Sequence, residues 1–273
     1  MPGADLPVYP VEDDLALIRD VAEEAGELAL GYFRQDPEVW YKNHGRSPVS
    51  EADLAVDGLL RRRLGEARPD YGWLSEESGS ARERIGFETL FVVDPIDGTR
   101  GFIAGNDVWC VSVAVVRGGI AVAGVLAAPA TGEVFTAAQG LPAERNGDRI
   151  SVAVSAPAEL GGMVVAAPER LIARLPETMK AHITSFGYIP SLAYRLAMVA
   201  DGRLDATLVR ENANDWDIAA ADVILRSAGG VIVQEDGRAP AYNRSETEHG
   251  ILVAGSPVVA GQLSAMLRQN SKH

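Results

Sequence analysis

The stretch LFVVDPIDGT, residues 90–99, runs from four apolar residues into two carboxylates that lie three positions apart. A short apolar run that ends in a turn predicts a buried strand. Pro95 fixes one backbone angle and Gly98 frees another, so the turn can aim Asp94, Asp97 and an intervening carbonyl at one point. Because hard divalent cations such as Mg²⁺ prefer oxygen ligands, this turn is a candidate metal site.

The end of the same stretch is a candidate anion site. If a helix begins after the turn, the backbone amides of Gly98 and Thr99 are donors suited to a phosphate. Taken alone, however, the pattern Asp-x-x-Asp-Gly is also typical of a loop with a capping aspartate.

Helical patterns precede this stretch in the chain. Apolar residues recur three and four positions apart over residues 15–32, which predicts a helix capped by Asp13 or Asp14. Ser50, with Asp53 three residues later, predicts a capping box at the start of a second helix.

Strand patterns follow the stretch. The apolar, β-branched runs at residues 108–116 and 120–127 flank the Arg-Gly-Gly turn at 117–119, which predicts a hairpin. Residues 133–138 predict a third strand. The first half of the chain is therefore predicted to be two helices followed by an antiparallel sheet.

The second half alternates between strands and helices, which predicts a sheet covered by helices and a mixed α/β fold class. Strands are predicted over 163–167, 204–209, 231–234 and 251–254, and helices over 191–200, 218–228 and from 257 onward. Turn-forming residues cluster between 140 and 155, so we place the boundary between an N-terminal half, 1–148, and a C-terminal half, 149–273.

Composition excludes several classes of protein. The 273 residues include 38 acidic and 25 basic side chains, and the net charge of −13 disfavours binding to duplex nucleic acid. The single cysteine, Cys110, excludes an internal disulfide, and four scattered histidines disfavour a zinc site. No apolar run approaches the roughly 20 residues that span a bilayer, and residues 1–14 lack a signal-peptide pattern, so we expect a soluble cytoplasmic protein with no membrane partner.

Four acidic motifs occur in a fixed order: Pro-Val-Ser-Glu-Ala-Asp at 48–53, Glu-Glu-Ser at 76–78, Asp-Pro-Ile-Asp-Gly-Thr at 94–99, and Trp-Asp-Ile-Ala-Ala through Gly-Gly at 216–230. In this order they resemble the inositol monophosphatase superfamily of Mg²⁺-dependent, lithium-sensitive phosphatases. The resemblance extends over about residues 21–267. It implies a layered α-β-α-β-α sandwich whose N-terminal sheet is antiparallel.

The resemblance also implies a set of metal ligands. Glu76, Asp94 and the Ile96 carbonyl would bind one Mg²⁺, and Asp94, Asp97 and Asp217 would bind a second. Clustered cations of this kind neutralise an anionic phosphate monoester and lower the pKa of water.

The remaining catalytic roles come from the same resemblance. Asp53 and Thr99 would support the nucleophilic water, and Asp53 with Glu76 can bind a third Mg²⁺. Gly98 and Thr99 would donate hydrogen bonds to the substrate phosphate.

Candidate substrate residues depart from the inositol branch of this superfamily. Arg100 resembles a lysine of the 3'(2'),5'-bisphosphate nucleotidase branch, and Arg210 stands where the inositol branch commonly has a glutamate. Ser191 and Arg195 lie on a helix that borders the substrate in this superfamily. Because arginine suits a second phosphate, 3'-phosphoadenosine 5'-phosphate and an inositol monophosphate are the two main candidates for the small phosphorylated substrate. Histidinol phosphate and fructose 1,6-bisphosphate are less favoured candidates.

Two further alternatives remain open. The chain could be a regulatory protein that binds a protein partner on the same fold, although its complete set of acidic ligands favours an enzyme. It could also belong to another Mg²⁺-dependent fold that uses Asp-x-x-Asp, although the order of the motifs disfavours this. By analogy with the superfamily, we expect a homodimer.

Overall fold

The computed structural model describes residues 9–42, 47–78, 82–153 and 162–270. The helices are α1 (Val11–Tyr32), α2 (Glu51–Ala67), α3 (Thr99–Ile103), α4 (Glu169–Ile172), α5 (Glu177–Lys180), α6 (Leu192–Ala200), α7 (Asp215–Ser227) and α8 (Pro257–Asn270), with a short 3-10 turn at Arg82–Gly86. Among the described residues, no helix combines the length and the apolar character needed to cross a bilayer.

The first half of the chain forms a seven-stranded sheet around the apolar run that precedes Asp94. Its strands, in spatial order, are β3 (Gly72–Ser75), β4 (Thr89–Asp97), β5 (Cys110–Arg117), β6 (Ile120–Ala128), β7 (Glu133–Ala138), β8 (Glu144–Arg145) and β9 (Asp148–Arg149). The predicted hairpin forms between β5 and β6. The four predicted strands, β4 to β7, pair antiparallel as predicted. The unpredicted strand β3 adds to the edge of the sheet and pairs parallel to β4. Strand β3 has only four residues, too few to show a strand period in the sequence.

The second half forms a mixed five-stranded sheet. In spatial order its strands are β11 (Ile183–Ser185), β10 (Met163–Ala166), β12 (Ala206–Val209), β16 (Leu252–Gly255) and β14 (Val231–Gln234). Two short antiparallel pairs complete the described strands, namely β1 (Val39–Lys42) with β2 (Ser47–Ser50) and β13 (Ala213–Asn214) with β15 (Glu248–His249).

Three hydrophobic clusters define the layers. Helices α1 and α2 pack on one face of the first sheet, and α6 and α7 lie between the two sheets. Helix α8 packs with α4 and α5 on the outer face of the second sheet. This order confirms the predicted α-β-α-β-α sandwich. The cluster between the two sheets contains side chains from both predicted halves, such as Leu126 and Leu225, so the halves share a core. The division of the chain at residue 148 stays a prediction.

The starts of two helices differ from the predictions. Helix α1 begins at Val11, without the predicted aspartate cap. Asp14 is instead buried, and it accepts hydrogen bonds from the side chains of Arg68, Tyr71 and Arg117. Helix α7 begins three residues before its predicted start at residue 218, because a capping box extends it.

Gly124 lets α7 approach the first sheet closely. A Cβ atom at this position would lie 2.5 Å from the Ala220 carbonyl oxygen and 2.8 Å from the Ala220 Cα, both in the α7 backbone. Real Cβ atoms do not approach backbone that closely, so a side chain here would push α7 away from β6.

We expect Gly124→Ala to lower the free energy of unfolding by about 3 kcal/mol, because overpacking against backbone cannot relax through a side-chain rotation. Urea denaturation measures the change. The matched control is Gly58→Ala, since the exposed Gly58 in α2 has open space where a Cβ would lie and should gain about 1 kcal/mol of helix propensity. If Gly124→Ala and Gly58→Ala changed the free energy of unfolding equally and in the same direction, the close approach of β6 to the α7 backbone would be contradicted.

Candidate active site

The Asp94–Asp97 turn lies at the end of β4, where the pairing with β5 shifts register. The Ile96 N–H donates a hydrogen bond to Asp94 Oδ1 at 3.1 Å, which fixes the orientation of this carboxylate. Gly98 follows with a φ of 98°, a left-handed conformation that favours glycine. A Cβ at Gly98 would also lie 3.1 to 3.3 Å from atoms of Ser191, so the turn packs tightly against the start of α6.

Helix α7 brings a third carboxylate to this turn. Asp217 is the third residue of α7, and its Oδ2 accepts the Asn214 N–H at 2.6 Å in the capping box. Carboxylate oxygens of Asp94, Asp97 and Asp217 all lie within 4.8 Å of one another. The fold therefore assembles one acidic cluster from segments about 120 residues apart in the chain.

A second acidic group lies beside the first, at the start of α2. Asp53 Oδ2 accepts hydrogen bonds from the Ser50 N–H at 2.8 Å and the Ser50 hydroxyl at 2.5 Å, which confirms the predicted capping box. The Thr99 hydroxyl lies 3.2 Å from Asp53 Oδ1 and 3.0 Å from the Ile96 carbonyl oxygen. Both of these oxygens are acceptors, so the single Thr99 proton bonds to one of them at a time.

Burial is the main cause of raised pKa values among the predicted acidic site residues. Burial raises the pKa of Asp53 to about 6 and that of Asp217 to about 7. The pKa of Glu76 rises to about 8, through burial and then the charge of Asp217. Burial, followed by the charges of Glu76 and Asp97, raises the pKa of Asp94 well above its ordinary value.

These residues fit a hard divalent cation. The acidic cluster offers only oxygen donors, and its repelling charges are unfavourable in a buried setting unless a cation or protons neutralise them. Asp94 and Asp97 are only 1% and 5% exposed, so bulk water does not screen this repulsion. The cluster is therefore suited to bind a metal ion.

A cavity of about 630 Å³ opens over the acidic cluster. Asp97 and Asp217 lie in its wall, together with Arg195 and Arg210. Burial lowers the pKa of the Arg195 guanidinium to about 10, which leaves it positively charged at neutral pH. Its Nε atom is buried and has no hydrogen-bond partner among the described residues. The cavity wall therefore combines two carboxylates with two cationic side chains.

The sequence model of the inositol monophosphatase family matches residues 11–272, nearly the whole chain. The chain belongs to the inositol monophosphatase family. An inositol-1-monophosphatase of Mesorhizobium japonicum is 32% identical over 255 residues, which are 88% of each chain. A histidinol-phosphatase of Mycobacterium tuberculosis is also 32% identical, over 247 residues that cover 85% of this chain and 92% of that one.

A solved structure supports the fold. The extragenic suppressor protein suhB of Bartonella henselae superimposes with a TM-score of 0.81 at 28% identity, covering 94% of this chain and 99% of that chain. Together with the family match, these relatives identify the chain as a hydrolase of phosphoric monoesters, and its family as metal-dependent.

Within this inositol monophosphatase fold, the structure brings most of the predicted site residues into one region. Glu76 lies directly after β3, where its N–H donates to the Val93 carbonyl at 3.2 Å. Its carboxylate is outside the three-residue cluster but close enough to repel Asp94 and Asp217. Of the two predicted substrate arginines, Arg210 lines the cavity, whereas Arg100 on α3 is exposed and is not among the described lining residues. A substrate role for either residue stays a prediction.

Other residues of the site belong to no sequence motif. Phe186 and Tyr188 lie in the cavity wall and are 41% and 82% exposed, but they belong to a loop that no motif marks. The Ala193 N–H donates a 2.7 Å hydrogen bond to Asp97 Oδ2, a backbone contact that no residue type encodes. Asn214 was detectable, since a polar residue three positions before Asp217 is a capping-box pattern.

Proposed function

We propose that this chain is a Mg²⁺-dependent phosphomonoesterase of the inositol monophosphatase type. The observation that supports this best is the convergence of Asp94, Asp97 and Asp217, because two of them, Asp97 and Asp217, line a cavity large enough for a small phosphorylated metabolite. Two or three Mg²⁺ ions are proposed, with Glu76, Asp94, the Ile96 carbonyl, Asp97 and Asp217 as ligands.

Metal ions bound here would supply positive charge to the phosphate and acidify water. The chain's own contribution begins with Asp53 and Thr99, whose hydrogen-bonded side chains orient a water molecule for attack on phosphorus. In this role Asp53 accepts a proton at Oδ1, the oxygen that the Ser50 hydrogen bonds leave available. The Gly98 and Thr99 N–H groups donate to the phosphate oxygens.

Chelation tests the metal requirement. We expect turnover of an inositol monophosphate to cease in excess chelator and to return with Mg²⁺, because the buried carboxylates need cations to bind a substrate that is itself anionic. Ca²⁺ should inhibit, since it prefers longer bonds and looser geometry than Mg²⁺, and Li⁺ should inhibit as the family resemblance implies. Initial rates of phosphate release measure each effect. Full turnover in excess chelator would contradict the proposal.

A second substrate, 3'-phosphoadenosine 5'-phosphate, is favoured by one observation. Arg195 and Arg210 both lie in the cavity wall, and the charge of Arg210 contributes to lowering the pKa of Arg195, which places the two cations near each other. Neighbouring cations suit a second phosphate better than the uncharged hydroxyls of an inositol ring.

Arg210→Ala distinguishes the two substrates. We expect the KM for 3'-phosphoadenosine 5'-phosphate to rise by about tenfold or more, since a hydrogen bond to a charged group contributes about 1.5–3 kcal/mol. The KM for an inositol monophosphate should change less than about threefold. Steady-state kinetics on both substrates measure this, with the exposed Arg238, which pairs with Asp236, as the control position. Equal changes for both substrates would favour the inositol monophosphate.

The assembly and the cellular location follow from the family resemblance alone. We propose a cytoplasmic homodimer, and size-exclusion chromatography with light scattering tests the dimer.

A further inference from the structure

Ser191 is fully buried, and the cavity over the acidic cluster is not lined by it. Its hydroxyl oxygen accepts the Tyr194 N–H at 3.0 Å, as the N-cap of α6. Its hydroxyl hydrogen is directed elsewhere, in a short hydrogen bond to Asp97 Oδ2. The Cys110 sulfur lies 3.6 Å from the same oxygen. Every direction around this hydroxyl is therefore occupied by protein, which leaves it no contact with a substrate.

The direction of the Ser191 proton follows from its neighbours. The Tyr194 N–H can only donate, and an ionised Asp97 carboxylate can only accept. The hydroxyl therefore joins the backbone of α6 to a carboxylate of the acidic cluster.

The first turn of α6 reinforces this bond. The Ala193 N–H donates to the same Asp97 Oδ2 at 2.7 Å. Asp97 thus binds a free N–H group at the start of a nine-residue helix, although it comes from a strand almost 100 residues earlier. The hydrogen bonds from Ser191 and Ala193 both go to Oδ2, one of the two oxygens of the Asp97 carboxylate.

We propose that Ser191 is a positioning residue that fixes the Asp97 carboxylate so that Oδ1 alone is presented to a metal ion. This inference rests on the proposed function. It assigns to Ser191 a role different from the substrate contact expected from the sequence. Partners that orient a ligating carboxylate typically change metal affinity or activity by about 10- to 100-fold when they are removed.

The packing around Ser191 supports this role. Because Gly98 lacks a side chain, the turn that carries Asp97 lies against the Ser191 backbone, where a Cβ at Gly98 would approach within 3.2 Å of the Ser191 Cα. The position of α6 therefore restricts the orientation of the Asp97 carboxylate.

Metal binding in the absence of substrate tests the proposal. We expect Ser191→Ala to weaken the binding of Mn²⁺ to the metal-stripped full-length protein by about tenfold or more, measured by electron paramagnetic resonance and by calorimetry. Ser191→Cys replaces the hydroxyl by a slightly larger group that offers only a weak S–H donor, so it should also lose affinity when it is measured in a reductant that prevents a disulfide with Cys110. It provides a second measurement if the alanine variant folds poorly.

The matched control is Ser264→Ala. Ser264 is a buried serine in α8 whose hydroxyl donates to the Gly261 carbonyl at 3.0 Å, remote from Asp97 in the fold. This variant should bind Mn²⁺ as the wild type does. If Ser191 only caps α6, Ser191→Ala will lower the melting temperature but leave the Mn²⁺ affinity within about twofold of wild type. That result would overturn the inference. A wild type that binds no Mn²⁺ would overturn the proposed function as well, which separates the two failures.

Discussion

Asp94→Asn is expected to lower kcat by about 1,000-fold or more, which corresponds to about 4 kcal/mol of barrier. The change removes a carboxylate whose oxygens meet those of Asp97 and Asp217 within 4.8 Å, and so removes part of the proposed metal site. In the metal-free protein the same change should raise the melting temperature, because it removes one of several repelling, buried negative charges. Single-turnover kinetics and a thermal melt in chelator measure the two effects.

Asp14→Asn is the matched control for this prediction. Asp14 is as buried as Asp94, but it lies between the cationic side chains of Arg68 and Arg117. Removing its charge should lower the melting temperature and leave kcat unchanged at temperatures where the variant is folded. A kcat of Asp94→Asn within about tenfold of wild type would show that Asp94 is not a shared metal ligand.

The stability of the metal-free protein is expected to fall as the pH rises from about 5 to about 8. Burial raises the pKa of Asp53 and Asp97 to about 6, that of Asp217 to about 7 and that of Glu76 to about 8. A carboxyl group whose pKa is higher in the folded state binds more protons when the protein is folded than when it is unfolded. Its contribution to stability is therefore complete below the unfolded-state pKa and is lost as the pH rises through the folded-state pKa. One pKa unit corresponds to about 1.4 kcal/mol, so a single group raised by two units accounts for a fall of about 3 kcal/mol.

Urea denaturation at several pH values, in chelator and in saturating Mg²⁺, measures this dependence. Mg²⁺ should flatten the profile, because a bound cation favours the ionised carboxylates. Glu76→Gln should reduce the fall between about pH 7 and pH 8, where Glu76 titrates. A metal-free protein whose stability increases over this range would contradict the assigned burial of the acidic cluster.

Local sequence was sufficient for the elements that contain their own signals. The capping box of Ser50 and Asp53, the hairpin around residues 117–119 and the turn after Asp94 all depend on contacts within a few residues, so their patterns are visible in one stretch of chain. Strand β3 was missed because it is short and acquires its identity by pairing with β4. The prediction of an aspartate cap for α1 was wrong for a similar reason. The Asp14 carboxylate accepts hydrogen bonds from Arg68 and Arg117, which come from distant segments of the chain.

The family, the layered fold and the candidate metal ligands were all predictable from the sequence, because each ordered acidic motif is compact and its side chains are of the type that divalent cations require. The contacts between distant side chains were visible in the folded structure alone. It placed Arg195 with Arg210 in the cavity wall, left Arg100 exposed on α3, and directed the buried Ser191 hydroxyl to Asp97. Such contacts depend on how α6 and α7 pack between the two sheets, and a close approach such as that of Gly124 to Ala220 has no periodic signal in the sequence.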